Sequence, residues 1–170
     1  MNPLVEYFEK AKNSSFRRWI LNRILWRMVP FNNPHKIKIV EINDAYILFE
    51  APYRRSNRNH IKGIHACLLA TLCEYTVGVN LMINLSPTEY RIIMKQITMV
   101  YHYQAKTAVR TKWGISREML ENEILQPLKR EGVLFKDFVV EVYDLNDNHI
   151  CTGTVQWQLK EWKNVKTKLN

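Results

Sequence analysis

From Phe16 to Met28, apolar side chains at Phe16, Trp19, Ile20, Leu21, Ile24, Leu25, Trp26 and Met28 are interleaved with Arg17, Arg18, Arg23 and Arg27. The spacing predicts an amphipathic N-terminal helix within residues 1–29. It lays Trp19, Leu21, Ile24, Leu25 and Met28 against its own domain and turns the arginines to water. A helix lying on a membrane surface is the alternative reading. The arginines interrupt the apolar run too often for a signal peptide or a membrane span.

Past Pro30 and Pro34 the period changes to alternation. Lys36 to Ile42 and Ala45 to Ala51 read as two strands joined at Asn43 and Asp44. A polar, basic loop follows from Pro52 to Lys62. Ile64 to Leu81 is then apolar on nearly every side, the pattern of a buried helix. Arg91 to Tyr103 and Thr107 to Trp113 read as strands. Ser116 to Arg130 reads as an amphipathic helix with Ser116 as N-cap and Gly132 beyond its end. Val133 to Tyr143 and His149 to Leu159 form a last hairpin around Asn146, Asp147 and Asn148. The final eleven residues form a Lys-rich tail expected to fray.

One apolar helix among six mainly antiparallel strands is an α+β arrangement in which the sheet has to curl round the helix. Six strands cannot enclose it fully, so a second copy is expected on the open side. The expected division is an N-terminal helix (1–29), one domain (30–160) and a basic tail (161–170).

Composition narrows the chemistry. The chain has 170 residues, 46% of them apolar, which suffices for one core. Its five glycines are so dispersed that the closest pair, Gly63 and Gly78, lies 15 residues apart. That excludes a dinucleotide fingerprint, a P-loop and a Gly-x-Ser-x-Gly elbow. Cys67, Cys73 and Cys151 never approach the spacing of a zinc or redox pair. Three sparse thiols point to a reducing, cytoplasmic setting.

Glu74 stands out. It is the only charged residue between Lys62 and Glu89, and it falls in the most apolar helix. Unpaired, a carboxylate there is costly, and desolvation raises its pKa toward the range a general base needs. Solvent access or a distant arginine is the plainer alternative. His65 opens the same helix, nine residues earlier and half a turn out of phase, ~13.5 Å away along the axis. The two cannot meet within one copy; cooperation would require a helix start from one subunit and Glu74 from another. Asn59 and His65 also suit simple turn and capping roles. His60, His65 and Glu74 lack the spacing of a metal site, and neither metal nor cofactor is expected.

The stretch Asn59-His60-Ile61-Lys62-Gly63-Ile64-His65-Ala66-Cys67, with Glu74 after it, resembles the Asn-x-x-Gly-x-x-His-Gly-Gly motif and following acidic residue of hotdog-fold acyl-CoA thioesterases of the PaaI-like branch. Arg58-Asn59-His60, Ile64-His65-Ala66, Glu74 and Tyr90-Arg91-Ile92-Ile93 are similar to an uncharacterised hotdog thioesterase subfamily. The resemblance spans residues 30 to 160. It implies a curved sheet wrapped round a central helix, with Glu74 as base or nucleophile and Asn59 orienting the water or carbonyl. His65 and the Ala66 N–H would polarise the thioester oxygen. The glycine lies four residues after the asparagine rather than three. Ala66 and Cys67 replace the Gly-Gly pair and crowd the point of carbonyl approach, Glu replaces the commoner Asp, and the Ser or Thr that positions water in some relatives has no clear counterpart, with Ser86 and Thr88 as nearby candidates.

The chain carries 25 basic and 16 acidic residues, a net charge of +9. Arg54, Arg55, Arg58 and Lys62 flank the motif with no acid between Glu50 and Glu74, and suit coenzyme A phosphates or an acidic acyl carrier protein. Nonspecific nucleic-acid binding is the third reading. Tyr53, Tyr90, Tyr101 and Tyr103 have strand spacing, which fits sheet packing better than base stacking. The expected partners are therefore an acyl-CoA or acyl carrier protein thioester and a second copy, with a dimer of dimers as the larger assembly. The alternatives to hydrolysis are a non-catalytic acyl- or partner-binding protein, or a dehydratase acting on acyl carrier protein.

Overall fold

A computed structural model describes residues 3–165. Its order is α1 (Pro3–Lys12), α2 (Ser15–Met28), β1 (Lys38–Ile42), β2 (Ile47–Ala51), α3 (Ala66–Asn84), β3 (Tyr90–Tyr101), β4 (Val109–Trp113), α4 (Gln126–Glu131), β5 (Val133–Asp144) and β6 (His149–Glu161). The six strands form one antiparallel sheet in the order β1-β2-β4-β5-β6-β3, curled round α3. This is the hotdog arrangement.

The sheet follows from strand alternation. On β5, Phe138, Val140 and Val142 face inward, while Phe135, Val139 and Tyr143 face out. On β6, Cys151, Val155, Trp157 and Leu159 form the matching inner row. The helix comes very close to this row. A Cβ at Gly153 would stand 2.7 Å from Cys73 Sγ, and one at Gly78 would meet the Trp157 ring at 3.2 Å. At Gly153 no Cβ fits without a shift of the helix, and at Gly78 the indole would have to give by a few tenths of an ångström. Among the described residues, α3 is the one helix long and apolar enough to cross a membrane, and here it is the core helix under the sheet.

The two edges of the sheet differ. At β1, α2 covers the edge: the Asn22 amide donates to the Ile39 carbonyl at 3.0 Å, and its oxygen accepts the Ile39 N–H at 2.7 Å. A buried side chain thus completes the hydrogen bonding of an edge strand. The Trp26 indole adds a bond to the Ile37 carbonyl. At β3, nothing among the described residues pairs the outer edge.

Three expectations change. The N-terminal segment is two helices rather than one, broken before Ser14, whose hydroxyl accepts the Arg17 N–H. Leu21 and Leu25 are buried as expected and Ile24 is half-buried, but Trp19 and Met28 are exposed. Leu21, Asn22 and Leu25 set the inner stripe, and Trp19 lies about 200° round the helix from Leu21. The expected helix from Ser116 is capped as predicted, with Ser116 accepting the Met119 N–H and Gly132 at φ 70° past the end. Its middle, Met119–Leu125, widens to a π-turn just before Pro127, a residue with no N–H to continue the α ladder. Finally, the tail does not begin at residue 161. Glu161 ends β6, Trp162 donates its backbone N–H to the Glu89 carbonyl and its indole N–H to the Pro87 carbonyl, and only 166–170 of the expected fraying segment lie outside the described residues.

Replacing Asn22 with Leu keeps the branching and the number of side-chain heavy atoms but leaves the Ile39 N–H and C=O unpaired in a buried place. Urea unfolding is expected to show a loss of about 2 kcal/mol. An unchanged midpoint would mean that water replaces the amide.

Candidate active site

His65 is the N-cap of α3. Its Nδ1 accepts the Cys67 N–H at 3.1 Å, so that nitrogen carries no proton, and its own N–H donates to the Asn57 carbonyl. Among the described residues the Ala66 N–H has no acceptor. It is the free donor at the positive end of a 19-residue helix, and His65, Ala66 and Cys67 are all exposed there. The Tyr101 hydroxyl donates to the Ala66 carbonyl at 3.3 Å, tying the end of β3 to the helix start.

Asn59 shapes the loop. Its side-chain oxygen accepts the N–H groups of Ile61 (3.1 Å) and Gly63 (2.9 Å), and its backbone N–H donates to the Gly63 carbonyl. The oxygen that the resemblance assigned to water or carbonyl is thus held within the turn. Asn57 is the polar residue that sequence reasoning passed over. It is buried and donates to the carbonyls of His35 and Pro52, both at 2.9 Å, while its oxygen lies 3.2 Å from His35 Nδ1. It fastens the loop to the body of the domain. Its proximity to the motif was the only signal.

Arg54, Arg55 and Lys62 are exposed on this loop, and the Arg58 guanidinium lies 5.1 Å from the Tyr53 ring centre. Lys62 holds φ 62°, and the Tyr53 hydroxyl donates to its carbonyl. Arg58 forms an isolated antiparallel bridge with Ile64, two residues before α3.

Glu74 lies elsewhere, two turns along α3. It lines a cavity of about 620 Å³ between the helix and the open edge of the sheet, with Gly78, Met82, Tyr90, Ile92, Met94, Trp157 and Trp162 in the walls. No described residue pairs with its carboxyl group. Burial alone, with no cation to offset it, pushes this carboxyl above the ordinary glutamate range. The Trp157 indole N–H, buried in the same wall, has no acceptor either. Ser86 and Thr88 bond to each other at 2.8 Å in the turn before β3 and line no part of this cavity. Among the described residues, no three His, Cys, Asp or Glu side chains cluster as metal ligands do.

The structure thus gathers the predicted residues into two groups. Asn59, His65, Ala66, Cys67 and the basic loop sit at the exposed helix start; Glu74 sits in the apolar cavity. Within one copy they are apart by roughly the eight-residue rise from Ala66, about 12 Å.

Residues 17–162 match the profile of a family described as a domain of unknown function, DUF4442. No curated protein matches the chain in sequence. Several solved structures share its fold. A Pseudomonas aeruginosa protein of unknown function, described as a probable thioesterase, is 17% identical with a TM-score of 0.75, covering 82% of this chain and 93% of its own. A Chlorobaculum tepidum protein of unknown function is 12% identical with a TM-score of 0.69, covering 88% of this chain and 98% of its own. A Haemophilus influenzae thioesterase is 8% identical with a TM-score of 0.61, covering 81% and 87%.

Because burial raises the Glu74 carboxyl in the folded state, folding favours its protonated form. That contribution is complete below the unfolded pKa and is lost as pH rises through the folded one. Glu74→Gln, neutral throughout, is expected to melt with the parent near about pH 4 and a few degrees above it at mildly alkaline pH. Equal melting temperatures across that range would mean the carboxylate is solvated.

Proposed function

The chain belongs to the DUF4442 family, and from its hotdog fold and its cavity we propose that it hydrolyses an acyl thioester as a homodimer. The observation that carries this reading is the unpaired Glu74 carboxyl in an apolar cavity at the open edge of the sheet. A hydrolase needs a base whose pKa lies near the working pH and an adjoining apolar space for an acyl group. The thioesterases among the fold's solved relatives support the same choice of chemistry.

The same geometry supports a dimer. The β3 edge is long, unpaired and apolar at Ile93, Met94 and Val100. A second copy paired there closes the cavity and brings a helix start from one chain toward Glu74 of the other; a dimer of dimers is compatible with it. In the proposed step Glu74 accepts a proton from water as the water oxygen bonds to the thioester carbon. The Ala66 N–H of the second copy stabilises the oxyanion. The C–S bond then breaks, and the thiol leaves with a proton returned from Glu74. Arg54, Arg55, Arg58 and Lys62 would hold the phosphates of coenzyme A or the acidic face of a carrier protein. Three unpaired cysteines support a cytoplasmic setting.

A second reading has its own support. Ala66 and Cys67 crowd the helix start, and the Asn59 oxygen is taken up in its turn, which favours an acyl-binding protein without turnover.

A thiol-release assay over a panel of acyl-CoA esters separates the two. Hydrolysis is expected, and Glu74→Gln is expected to slow it by about a hundredfold or more while circular dichroism stays the same. Full turnover in that variant would refute the role of Glu74. Quenched tryptophan fluorescence with no thiol released by the parent would establish the binding reading instead. Sedimentation is expected to give twice the chain mass.

A further inference from the structure

Helix α2 has two faces, and only one is used by the fold. Leu21, Asn22 and Leu25 are buried against the domain. On the opposite face Phe16, Trp19, Arg23 and Arg27 follow one another at three- and four-residue spacing. Phe16 is 66% exposed and Trp19 55%. The rings of Phe16 and Trp19 stack with centroids 6.0 Å apart, and the Arg23 guanidinium lies 5.2 Å from the Trp19 ring centre. Scattered apolar side chains need no explanation, but two stacked, exposed rings among unpaired arginines on one helix face do.

The charge on this face indicates what covers it. Helix α2 contains four arginines and no acid. Arg18 is occupied, donating to the Ala11 and Lys12 carbonyls at the end of α1. Arg17, Arg23 and Arg27 are exposed, and none has an ion-pair partner among the described residues. The acids of α1 are spoken for, with Glu6 on Lys10 and Glu9 on Lys12. A second copy of this face would bring the unpaired Arg23 and Arg27 against the same two arginines, which disfavours an isologous contact. A nucleic acid would satisfy the arginines, but the Trp19 ring is already engaged by Phe16 and by the Arg23 guanidinium, which disfavours stacking on a base. A bilayer rich in anionic lipid satisfies both kinds of group at once. Aromatic rings settle at headgroup depth, and guanidinium groups bind phosphate.

We propose that the outer face of α2 docks this protein on anionic membrane surfaces, with Arg23 and Arg27 on the lipid phosphates and Phe16 and Trp19 at the headgroup boundary. The inner face stays packed on the domain, so docking requires no unfolding. The contact is shallow and reversible, strengthened by anionic lipid and weakened by salt. It does not depend on Glu74 or on hydrolysis.

The test is co-sedimentation of the full chain with vesicles of phosphatidylcholine alone and of phosphatidylcholine with one quarter phosphatidylglycerol. The protein is expected to pellet with the second and not the first, and to be released as salt rises. Arg23→Gln with Arg27→Gln is expected to weaken binding about twenty-fivefold, from roughly fivefold per arginine. Phe16→Ala with Trp19→Ala is expected to weaken it at least about tenfold. All four positions are exposed, so both variants keep the melting temperature of the parent. Failure to pellet with the anionic vesicles would overturn the proposal. So would pelleting that both variants preserve, or self-association of the parent that Phe16→Ala with Trp19→Ala abolishes. Preferential retention by a single-stranded oligonucleotide over the vesicles would assign the face to nucleic acid and likewise overturn it.

Discussion

The organising constraint is a helix too apolar for the sheet that covers it. Ten of the nineteen residues of α3 are buried, and the strands supply their cover from β2 round to β3, where the sheet stops. The uncovered flank is the cavity that holds Glu74. Fold and candidate chemistry therefore have one origin. Burial that stabilises the helix also removes water from its one carboxyl group and leaves an apolar space beside it. Gly78 and Gly153 belong to the same constraint, since they let α3 settle close enough to β6 for Cys73 and Trp157 to pack.

The rest of the molecule manages polar backbone near this core. Asn57 and Asn59 hold the loop before α3, His65 caps the helix, and Asn22 closes the β1 edge. The β3 edge has no such device, which is why a second copy suits it. Division of labour along α2 is equally clear: one stripe completes the core, and the other carries arginines and rings that the fold leaves alone.

Much of this was legible in the sequence because it rests on period and composition. The strand alternation of β5 and β6 and the all-round apolarity of α3 led directly to a sheet curled on a helix. Glu74 was visible as one charge in a long uncharged run. Other features depend on facts that the sequence does not encode locally. That Trp19 faces out depends on which stripe Asn22 draws inward by its bond to Ile39, seventeen residues away. That Trp162 walls the cavity depends on a turn at the end of β6 reaching Glu89 and Pro87. The motif resemblance pointed to Asn59 as the group that orients the water or carbonyl, and its side-chain oxygen accepts the N–H groups of Ile61 and Gly63 within its own turn, a local bond that the motif does not show.

The central claim is that Glu74 is an unpaired carboxyl held in an apolar cavity and ready to act as a base. The most direct measurement is a carbon-13 NMR titration of the glutamate side-chain carboxyls, with Glu74 assigned by the signal missing in Glu74→Gln. The account predicts that this signal titrates above the other glutamates and moves when an acyl-CoA is added. A Glu74 signal that titrates among the exposed carboxyls and ignores the ligand would contradict it.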